Sequence, residues 1–161
     1  MKNASFKLAV AALILLGCGV CIGATAQAQA MKKAPDVLVT VPSSYGFDDT
    51  VDLLKGAIEE ENLMVIYEVN AQQMLRMVGM QTKGMKQILF FHPRYMKRII
   101  ETNRNGAIVP PLKIAVMEMP NGKVMVRYAK PTYLFAPFDG LGEVAQELEE
   151  LVAKIVDNVK S

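Results

Sequence analysis

The sequence predicts one α+β domain, an antiparallel-rich single sheet with helices mainly on one face, preceded by a segment outside the fold. Three observations carry this. Short runs of β-branched and aromatic residues alternate with stretches of helical periodicity. A Pro-Asn-Gly turn joins two of those runs as a hairpin. The first thirty residues have the make-up of an export signal.

In that first segment, Lys2 and Lys7 form a basic start, Leu8 to Ile22 is uncharged, and Ala26, Ala28 and Ala30 supply small residues for cleavage. The apolar run is shorter than the ~20 residues of a spanning helix. Residues 1–30 are thus expected to be a signal peptide, 31–36 a short lead, and 37–160 the domain. Export, most simply to a periplasm, is the expected address. Leu15-Leu16-Gly17-Cys18 offers the alternative of lipidation at Cys18. Membrane attachment is expected only in that case, or where the segment is retained.

Removing thirty residues changes the chemistry available. Of the 161 residues, 131 remain, with sixteen basic and sixteen acidic side chains. A domain of zero net charge gives no electrostatic reason to expect nucleic acid. Both cysteines, Cys18 and Cys21, leave with the segment, so thiolate catalysis, disulfides and cysteine metal sites go with them.

Val37 to Val41 reads as the first strand and Pro42 to Gly46 as its break. Asp48 or Asp49 caps a helix to about Glu61, with Val51, Leu54 and Ile58 on one face. Met64 to Val69 is a second strand, and Asn70 caps a short helix that stops at Gly79. Gln87 to His92 is a third strand. Pro93 suits the first position of the next helix, where its missing N–H costs nothing, and that helix runs to about Glu101. Thr102 to Pro111 reads as a loop, Leu112 to Met119 and Lys123 to Tyr128 as a hairpin, and 130–137 as a second loop. Leu141 to Val159 closes the chain as an amphipathic helix, with apolar residues repeating at helical spacing.

The hairpin fixes a register. Pro120-Asn121-Gly122 suits a three-residue loop with glycine left-handed, so Met119 faces Lys123, Val116 pairs Val126 and Ile114 pairs Tyr128. One face is then aliphatic. The other carries Lys113, Ala115, Met117, Met125 and Arg127, and a solvated sheet face would carry Thr, Ser, Glu and Lys instead. A homodimer through the face with Met117, Met125 and Arg127 is therefore expected.

The stretch Ser44-Tyr45-Gly46-Phe47-Asp48-Asp49-Thr50-Val51 resembles the opening of the domain-of-unknown-function 302 family. Pro111-Leu112-Lys113-Ile114, then Gly122-Lys123-Val124-Met125-Val126-Arg127-Tyr128, Pro131 and Tyr133-Leu134 resemble its later motifs, in order and spacing. The resemblance implies a β-α-β(4)-α domain of the TATA-box-binding-protein-like class, here with short inserted helices, and dimers. It carries no agreed reaction and no catalytic residues. Where many members read Phe-Gly-Asn-Pro, this chain has Phe91-His92-Pro93-Arg94, so ligand chemistry is not transferred at that point.

Two constellations are candidates for chemistry. His92, Arg94, Tyr95, Arg127 and Lys130 would suit an anionic ligand if the strand–helix junction and the last strand converge. Met74, Met77 and Met80 with His92 would suit copper, and His92 with a methionine could hold noncovalent haem. Against the metal reading, methionine is also a flexible core filler. No nucleophile elbow, phosphate loop or dinucleotide fingerprint occurs. The expected function is a noncatalytic binding or assembly module without a cofactor. The alternatives are a copper or haem protein, and a small enzyme using His92 as acid or base.

Overall fold

The computed structural model describes residues 37–160. The expected signal peptide and lead, with Cys18, lie outside the described residues. Five strands form one wholly antiparallel sheet: β1 (Leu38–Pro42), β2 (Met64–Asn70), β3 (Met85–Phe91), β4 (Leu112–Glu118) and β5 (Val124–Ala129). Their spatial order is β1-β5-β4-β3-β2, so the first strand closes onto the last. The helices are α1 (Phe47–Glu60), α2 (Ala71–Met77), α3 (Pro93–Thr102), α4 (Pro131–Phe135) and α5 (Gly142–Asp157), with a 3-10 turn over Arg104–Ile108. This is the expected α+β class, a β-α-β(4)-α chain with short helices inserted.

Strand alternation divides the sheet into two faces. Val41, Ile88, Phe90, Ile114, Val116 and Val126 point to one side and are buried there with Leu54, Ile58, Ile99, Leu148, Val152 and Ile155 from the helices. The apolar stripes of α1 and α5 make that core. Salt bridges from Lys86 to Glu68 (3.2 Å) and Lys55 to Glu68 (3.5 Å) tie α1 to the sheet. Burial alone would raise the Glu68 pKa, but the two ammonium groups hold it below the usual value.

The hairpin follows the expected turn. Met119 N–H donates to the Lys123 carbonyl (2.8 Å), Gly122 has φ +78°, and the pairs Val116–Val126 and Ile114–Tyr128 form as predicted. At Pro93 the helix starts where expected, with His92 as its cap. Two local expectations differ. Gly46, not an aspartate side chain, caps α1, since Asp48 and Asp49 already lie in its first turn. The stretches read as loops contain the 3-10 turn and the five-residue α4, both too short to leave a periodic signal.

The second face has a different composition. Its rows follow from the register: Met85, Met117, Met125 and Pro42 lie side by side across β3, β4, β5 and β1. The next row runs Val69, Gln87, Ala115, Arg127 and Thr40; beyond it Tyr67, Leu89 and Lys113 align across β2, β3 and β4, and Ala129 pairs Leu38 across β5 and β1. A register shift at Ile66 bulges the edge strand β2. The core-forming helices α1, α3 and α5 bury their apolar residues in the single cluster on the opposite side, and α2 buries none of its own.

Candidate functional site

His92 ends β3 and starts α3. Its Nδ1 accepts a hydrogen bond from the Arg94 N–H (3.1 Å), so the imidazole itself occupies one of the free donors of the helix. Arg94 sends its guanidinium to the Glu61 carbonyl (3.3 Å) and across the Tyr95 ring, 4.9 Å from the centroid. Tyr95 is buried, and its hydroxyl donates to Glu147 of α5 (2.7 Å). Arg98 completes the group with a 2.5 Å bond to the other Glu147 oxygen. Along the same helix Lys97 faces Glu101 (3.8 Å).

The electrostatics of this group are those of a clamp between α3 and α5. The Arg98 guanidinium, then the Tyr95 hydroxyl, hold the Glu147 carboxyl below its usual range. Burial, reinforced by Glu147, pushes the Tyr95 phenol up, which keeps it a hydrogen-bond donor. A shallow apolar hollow of about 220 Å³ lies beside His92, formed by Ile66, Phe91, Pro93 and Met96.

The remaining candidates lie elsewhere. Arg127 shares a row with Gln87 two strands away, about 10 Å, and His92 follows five residues further along, about 17 Å. Those spacings keep the Arg127 and His92 side chains from meeting at one small anion. Lys130 sits at the sheet end, where its N–H bonds the Val37 carbonyl (2.8 Å) and it leads into α4. Met74, Met77 and Met80 follow the far end of β2, all exposed. His92 stands at the opposite end of β3, about 20 Å away along a seven-residue strand. The structure therefore does not bring those three methionines and His92 to one point. Among the described residues, no three His, Asp or Glu side chains group as metal ligands either.

Sequence reasoning missed a cavity of about 530 Å³ at the sheet end. Ile108, Val109 and Pro111 before β4, Leu112 and Lys113 of β4, Tyr128 and Ala129 of β5, Leu134 of α4, Pro137, Phe138, and Val152 of α5 line it. Tyr128 is only 7% exposed; its hydroxyl has no hydrogen-bond partner among the described residues and is not fully buried. The available signal was a polar-tipped aromatic at a core-facing position of a strand end.

The family model described as "Domain of unknown function DUF302" matches residues 39–159. The chain belongs to this family. A solved DUF302 structure, "Crystal structure of uncharacterized conserved protein DUF302 from Bacillus stearothermophilus", superposes with a TM-score of 0.72 at 23% identity. The match covers 78% of this chain and 99% of that one, and at such identity it speaks to fold alone. No curated protein matches the chain. The opening DUF302-like motif has a structural role here. Thr50, buried, donates its hydroxyl to the Gly46 carbonyl (2.7 Å) and lies 2.7 Å from the Ser43 hydroxyl, locking the turn into α1. Phe47 packs its ring on Gly84, where a Cβ would come within 2.8 Å of it.

Proposed function

We propose that this protein is an exported, noncatalytic assembly and binding module that pairs with a second copy through the second face of its sheet. The observation that supports this is the composition of that face. Its rows hold the thioethers of Met85, Met117 and Met125 side by side, with Leu89 and Tyr67 beyond them. Water gains nothing from such a surface, and burying it returns ~25 cal/mol for each Å² removed from solvent. Methionine adapts its shape to an opposing copy of itself, which suits an isologous contact. Lys113 and Arg127 interrupt the face. Their long stems can lie along it while the charges reach its rim, and the small side chains of Ala115 and Ala129 beside them leave room. The export half of the reading rests on Lys2, Lys7, the apolar run and the Ala-x-Ala pattern.

Sedimentation equilibrium on the purified protein tests the pairing. The wild type is expected to be a dimer at micromolar concentration. The double change Met117→Glu and Met125→Glu puts two carboxylates into the centre of the contact and is expected to weaken association ~100-fold or more. Its circular dichroism should stay that of the wild type, because neither residue reaches the core. A wild type that stays monomeric at 100-fold higher concentration than ~1 μM would end this reading.

A further inference from the structure

The sheet-end cavity is a second site, and it borders the pairing face at Lys113 and Ala129. It opens between the ends of β4 and β5, the loop before β4, and the α4–α5 region. At about 530 Å³ it falls within the ~300–1,000 Å³ common for small-molecule sites. Val109, Leu112, Leu134, Phe138 and Val152 give it an apolar wall. Such a wall alone would be a packing defect. Tyr128 makes it a site.

The Tyr128 ring belongs to the core, yet its hydroxyl has neither a partner among the described residues nor complete burial. A phenol tip that meets only solvent inside an apolar-walled recess can exchange that water for an acceptor carried by a ligand. The cavity is the space from which an acceptor can come. We propose that it binds a small, uncharged, largely apolar molecule whose carbonyl or hydroxyl oxygen accepts a hydrogen bond from Tyr128.

The surroundings select against an anion. Burial, then the carboxylates of Glu149 and Asp157, raise the Tyr128 pKa, so the group stays protonated and donates. The same carboxylates would oppose a negative ligand head at the phenol. Lys113 is the one charged residue along the lining, and alternation places it on the other face of the sheet.

Calorimetric and amide-shift titrations of the purified protein with 2-octanone, 1-octanol and octanoate test the site. The ketone and the alcohol are expected to bind saturably and to shift the amides of Val109, Leu112, Tyr128, Leu134 and Phe138. Tyr128→Phe removes only the hydroxyl. It is expected to weaken 2-octanone about tenfold while leaving Tm within ~2 °C, since no protein bond is lost. Leu134→Trp fills the cavity from another element and is expected to abolish binding with the sheet intact. Three results would overturn the proposal: no saturable binding of ketone or alcohol, tighter binding of octanoate than of 2-octanone, or an unchanged affinity in Tyr128→Phe.

Discussion

Replacing Gly106 by alanine is expected to destabilise the protein by about 2 kcal/mol, with a fall in Tm of roughly 5–10 °C. Gly106 is buried in the 3-10 turn over Arg104–Ile108. A Cβ there would overlap Cδ1 of Leu141 and come within 3.3 Å of Ile99 Cγ2. Both side chains are fully buried, so neither can swing into solvent to make room. The clash has to be relieved by moving the turn away from α3 and α5, which opens the core. Valine at the same position should be worse. Gly56 provides the opposite case. It is exposed within α1, and a Cβ there meets nothing within 4 Å. Gly56→Ala is expected to stabilise by about 0.5–1 kcal/mol through helix propensity alone. Thermal melts of the two variants by circular dichroism should move in opposite directions.

Glu147→Ala is expected to cost about 1–3 kcal/mol, because it leaves the buried Tyr95 hydroxyl without an acceptor and takes the anion from Arg98. Glu147→Gln separates the two contributions. An amide oxygen can still accept from Tyr95, but the charge is gone. The Glu147 carboxyl titrates below its ordinary 4.5 in the folded protein, held there by Arg98 first and Tyr95 second. Its charge-dependent stabilisation is therefore complete above pH 4.5 and lost as the pH falls through the lowered folded value. The stability gap between wild type and Glu147→Gln should be constant near neutral pH and close in acid. With 44% of the Glu147 side chain in contact with solvent, added salt should narrow the gap at pH 7 as well. Urea melts from pH 7 to pH 3, at two salt concentrations, check both effects. A gap that persists unchanged at pH 3 would place the stabilisation in packing rather than in the ion pair.

Most of the local structure was legible because it rests on short-range rules. Proline at the first position of α3, asparagine at the cap of α2 and Pro-Asn-Gly in the hairpin each satisfy a backbone requirement within a few residues. Once the turn length was known, alternation assigned every side chain of β4 and β5 to a face. What stayed hidden was the convergence of distant residues. Nothing near Tyr95 in sequence indicates Glu147, fifty-two positions later, as its acceptor. The proximity of Arg127 to the end of its strand suggested a meeting with His92, yet the two lie in different rows of the sheet.

The amino-acid order by itself thus determined the α+β class, the hairpin register and the two unlike faces of the sheet, since periods of two and 3.6 residues and turn stereochemistry are local properties. The tertiary structure alone decided that Tyr95 and Arg98 grip Glu147, and that Tyr128 lines a cavity with residues of four other segments. Those outcomes depend on strand order and helix placement, which set distances between residues far apart in the chain.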